Sequence, residues 1–122
     1  MAGDSKLTVL VDGLKFAEGP RWHDGRLWFS DFHLHRVLAA GLDGKVETIA
    51  ELDGQPSGLG WTPEGRLLIV SMLDHRLLEL TARGLREVAD LSSFATGPCN
   101  DMVVDSAVRA YIGNFGFDRE RG

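Results

Sequence analysis

The sequence repeats its own pattern at an interval of about 40 residues. Residues 18–52 align with residues 57–91, and a third copy of the pattern begins at Asn100. A repeat of this length is typical of proteins in which each copy forms one supersecondary unit. Each unit buries its faces against the neighbouring units. The matched positions include Gly19 with Gly58, Trp22 with Trp61, and His35 with His75.

Each repeat consists of short strand-like runs joined by tight turns. The runs, such as residues 27–30 and 67–70, are short, apolar and bounded by turn residues. An Asp-Gly pair at 24–25 and another at 43–44 favour hairpin turns, because glycine adopts a positive φ without steric cost. No stretch of the chain shows a convincing helical period, which excludes the helical solenoids that share this repeat length.

The sequence therefore predicts an all-β protein built of β-propeller blades. About four strands in a unit of about 40 residues is typical of a propeller blade. The predicted units are an N-terminal strand over residues 7–14, a first blade over 18–52, a second blade over 57–91, and the start of a third blade over 100–117.

The third copy departs from the first two at its turn. Val108 occupies the position of Gly25 and Gly65, and a β-branched residue adopts a positive φ only with strain. We expect this hairpin either to use another turn geometry or to be poorly formed. An unfinished third blade also leaves an open strand edge and uncovered apolar faces, which predict self-association, most simply as a two-fold dimer, or association with a missing half of the propeller.

Composition excludes several classes of function. The chain has 13 Lys and Arg against 18 Asp and Glu, a net charge of −5, and its basic residues form no run, which argues against nucleic acid and anionic membranes as partners. A single cysteine, Cys99, excludes an intramolecular disulfide. No apolar stretch is long enough to span a membrane, and the N-terminus lacks a signal-peptide pattern, so we expect a cytoplasmic protein.

Four segments of the sequence are distinctive: residues 16–22 (FAEGPRW), 24–31 (DGRLWFSD), 97–105 (GPCNDMVVD) and 110–118 (AYIGNFGFD). In their order and spacing they resemble the senescence-marker-protein/gluconolactonase/regucalcin family. This resemblance implies a six-bladed propeller, of which the chain matches about two and a half blades. It also implies a metal-dependent lactonase that opens sugar lactones or related cyclic esters with a divalent cation, calcium, zinc or magnesium.

The resemblance assigns roles to two residues. Glu18 matches the metal ligand of the first blade, and Asn100 matches a third-blade position that faces metal and substrate. The alternatives are an ordinary glutamate at a strand end for Glu18 and an Asx turn for Asn100. Since each residue begins the inner strand of its blade, we expect both on one side of the assembly, near the propeller axis. Pro98 stands where parts of the family carry a substrate-binding arginine, so the substrate class does not carry over.

The implied site is incomplete in this sequence. The two other metal ligands of the family, an Asn and an Asp, lie in later blades, and no segment of the chain matches them. The catalytic residue is therefore unassigned, and the sequence leaves open whether the chain is an enzyme. The leading prediction is a truncated or fragmentary lactonase. The alternatives are a non-catalytic propeller module completed by self-association or a partner, and a related hydrolase that acts on another ester.

Other conspicuous residues favour structural roles. His33 and His35 would face one side if they lay on a strand and could then share a metal, but the match of His35 with His75 favours a role in blade structure. Trp22 and Trp61 are predicted in the core. The two remaining predictions are that Cys99 packs as a small apolar residue and that Asp101 bonds between blades.

Overall fold

The computed structural model describes residues 6–116, which form ten β-strands and no helix. Within these residues, accordingly, no helix is long and apolar enough to cross a membrane. The strands are β1 (Ala17–His23), β2 (Arg26–Asp31), β3 (Arg36–Ala40), β4 (Val46–Glu51), β5 (Pro56–Trp61), β6 (Leu67–Ser71), β7 (Arg76–Thr81), β8 (Gly84–Asp90), β9 (Cys99–Val104) and β10 (Ala110–Asn114).

The strands form three antiparallel sheets, each in the order of the sequence. Strands β1 to β4 form the first sheet, β5 to β8 the second, and β9 and β10 a two-stranded third. The two complete sheets are propeller blades and the third is half of one. The prediction of an all-β partial propeller of about two and a half blades is thus confirmed, and residue 117 of the predicted third blade lies outside the described residues.

The core lies between successive blades, and β6 of the second blade contributes to both interfaces. Ile69 packs in a cluster with Val37 of the first blade, whereas Val70 packs in a cluster with Met102 of the third. Neighbouring residues of a strand point to opposite faces of its sheet, so a central blade is buried on both sides. This burial explains why β6 is a continuous apolar run rather than an alternating one.

The predicted strand over residues 7–14 does not form. No strand of the described chain pairs with this segment. Instead, Leu10, Val11 and Leu14 pack against Phe29 and its neighbours on the outer face of the first blade. Local β-propensity is not enough for a strand, because a strand also needs a partner edge to satisfy its backbone.

The prediction of a buried Trp22 is also wrong, although Trp61 packs as expected. Trp22 is 60% exposed. Trp61 stacks on His23 with ring centroids 3.9 Å apart and meets the ring of Trp28 edge-on at 5.4 Å. The two tryptophans are equivalent in the repeat, but only Trp61 faces another blade within residues 6–116.

The third hairpin forms despite Val108. Strands β9 and β10 pair in antiparallel register, and Val108 adopts a φ of +64° in the turn between them. The carboxylate of Asp105 accepts hydrogen bonds from the backbone amides of Ala107 and Arg109, both at 2.9 Å. The contacts of Asp105, foremost the Arg109 amide, lower its pKa. The turn therefore keeps the geometry of the glycine turns, and the Asp105 contacts offset the strain.

We expect Val108→Gly to raise the free energy of unfolding by about 0.5–1 kcal/mol, because it removes the left-handed strain of a β-branched residue. Urea denaturation of the purified chain measures this change. The matched control is Ala107→Gly in the same turn, where φ is not positive. That control should lose about 0.5–1 kcal/mol through the added freedom of the unfolded chain. Equal effects in both variants would contradict strain at Val108.

Candidate functional site

Three repeat-equivalent residues meet where the inner strands begin. Glu18, Ser57 and Asn100 are each the second residue of their strand, β1, β5 and β9. The Ser57 hydroxyl lies within hydrogen-bond distance of Glu18 Oε1 and is 2.6 Å from Asn100 Oδ1. We call these three residues the oxygen cluster. The structure thus brings Glu18 and Asn100 to the same side of the assembly, as expected, with the Ser57 hydroxyl between them, while their roles toward metal and substrate stay predictions.

Glycines allow the inner strands to approach closely enough for this contact. A Cβ atom on Gly58 would lie 2.6 Å from the backbone nitrogen of Met102 and 2.9 Å from the carbonyl oxygen of Asn100. A Cβ atom on Gly19, which has a φ of +64°, would lie 3.0 Å from the carbonyl oxygen of Ser57. Neither position accommodates a side chain without a shift of the neighbouring backbone.

Side chains of the first blade also hold the backbone around the oxygen cluster in place. Ser30 donates a hydrogen bond of 2.6 Å to the carbonyl oxygen of Ser57. Arg21 of the first blade donates to the carbonyl oxygen of Met102 at 2.8 Å and pairs with Asp101 at 3.2 Å. The predicted role of Asp101 in bonding between blades is confirmed by this ion pair.

The oxygen cluster has more acceptors than protons. The Ser57 hydroxyl has one proton, yet Glu18 Oε1 and Asn100 Oδ1 are both acceptors. The buried Ser57 hydroxyl can therefore donate to only one of the two oxygens at a time, and the other oxygen stays open to another donor or to a cation, since Glu18 and Asn100 are half-buried. Residues 6–116 contain no cluster of three or more His, Cys, Asp or Glu side chains. A carboxylate, a hydroxyl and an amide oxygen without enough protons form a donor set that fits a hard cation.

A depression of about 650 Å³ lies beside the oxygen cluster and has Glu18 in its wall. The backbone at the edge of this depression has the same hydrogen bond in each of the three blades. In each blade, the residue two positions before the cluster residue accepts a backbone hydrogen bond from the residue just after the second strand. We call these six residues the collar: Phe32 donates to Phe16 at 3.2 Å, Met72 to Gln55 at 2.8 Å, and Phe115 to Pro98 at 3.0 Å.

The paired histidines serve the turns. His35 lies in the turn between β2 and β3 with a φ of +58°, and its carbonyl oxygen accepts the amide of Leu52 at 3.0 Å. His75 has a φ of +54° and accepts the amide of Leu91 at 2.7 Å. Because residues 32–35 form a turn, the strand geometry required for a shared metal at His33 and His35 is absent.

Cys99 lies in the core, as the sequence predicts. Cys99 is buried in the cluster between the second and third blades, and burial raises the pKa of its thiol, which agrees with a packing role.

Ser57 was not predicted as a site residue. Its signal was the repeat itself, which aligns Ser57 with both Glu18 and Asn100.

Comparisons with known proteins agree with this architecture. A family model described as the SMP-30/gluconolactonase/LRE-like region matches residues 16–122. A gluconolactonase from Xanthomonas campestris has a TM-score of 0.75 and 21% identity over 88% of this chain and 37% of its own. Virginiamycin B lyase from Staphylococcus aureus has a TM-score of 0.64 and 16% identity over 80% of this chain and 34% of its own.

A luciferin-regenerating enzyme is also similar, with a TM-score of 0.63 and 17% identity over 79% of this chain and 38% of its own. At these identities the likeness shows the fold. The chain spans little more than a third of the length of each of these three structures. No curated protein matches the chain.

Because the neighbouring backbone lies close to Gly58, an added methyl group should destabilise the protein at Gly58 but not at Gly113. Gly58→Ala should lower the free energy of unfolding by about 1–3 kcal/mol, because backbone atoms occupy the space of the new Cβ. Gly113→Ala in β10 is the control, since its Cβ would meet nothing within 4 Å. Chemical denaturation of both variants tests the difference, and a Gly58→Ala protein as stable as Gly113→Ala would contradict the packing described here.

Proposed function

Because the chain belongs to the SMP-30/gluconolactonase/LRE-like family, we propose that it acts as a metal-dependent lactonase whose site is built on the oxygen cluster. The observation that carries the proposal is the convergence of Glu18, Ser57 and Asn100 with a single hydroxyl proton among them. The net charge of −5 favours a small molecule over nucleic acid as the ligand. A cytoplasmic location remains a prediction from the sequence.

The donor set favours calcium or magnesium over zinc. Hard divalent cations prefer carboxylate, amide and hydroxyl oxygens, whereas zinc sites use nitrogen and sulfur ligands more often. Glu18 would supply the charge, and Ser57 and Asn100 would supply neutral oxygens. Three protein ligands are half or fewer of the six to eight that calcium takes, so we expect weak binding, at about 10⁻⁴–10⁻³ M. Water, substrate or residues outside 6–116 would fill the other positions.

Each residue of the oxygen cluster has a distinct role in the proposed reaction. When bound, a divalent cation polarises an ester carbonyl and lowers the pKa of a coordinated water. Glu18 holds the charge at the wall of the depression. The Ser57 hydroxyl lies between Glu18 and Asn100 and donates to one of them at a time. The Asn100 amide nitrogen carries two further donors, which can orient a lactone oxygen while Oδ1 faces Ser57.

A second candidate function is a non-catalytic propeller module completed by self-association or a partner. Both ends of the described array expose large apolar side chains, Trp22 on the first blade and Val103 and Tyr111 on the third. Among the strands of residues 6–116, β10 pairs with β9 alone, so within this range its other edge pairs with no strand. A second copy of the chain could cover both features in a two-fold dimer.

We expect lactone hydrolysis to require added calcium or magnesium and the Glu18 carboxylate. Opening a lactone releases a proton near neutral pH, so a pH indicator follows the reaction. Glu18→Gln should abolish the metal-dependent rate and weaken calcium binding by calorimetry at least tenfold. Glu64→Gln, in an exposed turn, is the matched control and should change neither. Turnover that survives a chelator or the Glu18→Gln substitution would overturn the proposal.

Metal retention gives an independent test of the same site. The chain should lose its metal during gel filtration with a chelator, because three oxygen ligands form a weak site. Elemental analysis of the eluted protein measures this loss. One tightly held metal ion per chain would contradict the expected weak binding.

The uncovered blades predict that the folded chain is not a monomer. Light scattering on the purified protein should give a mass above the 13.4 kDa of one chain, with a dimer as the simplest result. A well-folded species of 13.4 kDa without a partner would contradict this prediction.

A further inference from the structure

The collar around the depression is largely apolar. Four of its residues, Phe16, Phe32, Met72 and Phe115, come from the first, second and third blades and carry aromatic or thioether side chains. The other two collar residues are Pro98, which has no polar side-chain atom, and Gln55, which has a polar side chain. A volume of about 650 Å³ lies within the range of about 300–1,000 Å³ that is typical of small-molecule sites.

The described lining of the depression favours a neutral ligand over an anionic one. Among residues 6–116, no lysine or arginine lines it, and Glu18 is the one carboxylate in its lining. Its other polar side chains are Gln55, Thr96, His33 and His75. A hydroxyl group that leaves water without finding a partner loses free energy, so the apolar part of the wall favours a hydrocarbon group over a hydroxyl group.

The aromatic side of the collar is fixed by a buried carboxylate. Asp31 is fully buried and accepts hydrogen bonds from the amides of Lys15 at 2.6 Å and Phe16 at 2.9 Å. The rings of Phe16 and Phe32 lie 4.4 Å apart between centroids, and the ring of His33 lies 4.4 Å from Phe32. Because the wall is already ordered, a ligand that fits it loses little free energy in ordering side chains.

We propose that the substrate is a neutral lactone with a hydrocarbon substituent, such as an alkyl or aryl group that packs against Phe16, Phe32 and Met72. This proposal rests on the proposed lactonase function, since the oxygen cluster would hold the ester while the collar holds the substituent. The ring-opening step remains ordinary hydrolysis: water adds to the carbonyl, the ring C–O bond breaks, and a hydroxy acid leaves.

Lactams test ligand preference separately from turnover, because their amide bond is not cleaved under assay conditions. Calorimetry in the presence of calcium should compare δ-valerolactam, its 6-butyl derivative and glucono-δ-lactam. Each fully buried methylene should increase affinity about fourfold, so the butyl compound should bind at least tenfold more tightly than the other two even if its chain is only partly buried. Phe32→Ala should remove most of this gain. The control is Phe94→Ala, at a site that is 79% exposed and outside the depression, and it should have no effect.

The outcomes separate this inference from the proposed function. Binding of glucono-δ-lactam equal to or tighter than that of the butyl lactam, or no binding of any lactam, would overturn the hydrocarbon preference. A parallel assay would measure hydrolysis of δ-nonalactone and glucono-δ-lactone. Turnover of the sugar lactone alone would support a lactonase and overturn the inference. Selective binding of the butyl lactam without turnover of any lactone would support the ligand class and overturn the lactonase proposal.

Discussion

The close approach of the three inner strands is the constraint on which the rest of the structure depends. At Gly58 the neighbouring strand passes so near that a methyl group would overlap its backbone. This spacing brings Glu18, Ser57 and Asn100 within hydrogen-bond distance, although they are about 40 residues apart in sequence. The same approach groups three oxygens around a single hydroxyl proton, and the proposed cation site rests on this arrangement.

Much of this arrangement could be predicted from the sequence, because the repeat and its turns are local signals. The blades follow from turn glycines and short apolar runs, and the meeting of Glu18 with Asn100 follows from their equivalent positions. The predictions that the structure contradicts concern the first blade. Within residues 6–116, the segment 7–14 pairs with no strand and Trp22 faces no other blade, and both outcomes depend on neighbours that a local pattern does not reveal.

Ser57 shows a different limit. A serine in an apolar strand suggests nothing by itself, and its importance appears only when its two neighbours are known. The oxygen cluster uses one backbone position in three blades for three different side chains, a carboxylate, a hydroxyl and an amide. The scaffold sets the distances, and the choice of side chain at each copy sets the charge and the number of protons. Fold and chemistry are therefore specified by separate residues.

The backbone hydrogen bonds of the collar have a consequence for divergence within such a fold. Each collar pair is joined main chain to main chain, so the bond between Met72 and Gln55 does not depend on either side chain. A lineage can therefore exchange these side chains, one blade at a time, while the strands beneath stay in place. Selection for a new ligand would then need few substitutions. Proteins as different as a gluconolactonase and a virginiamycin B lyase share this architecture at 21% and 16% identity to the chain.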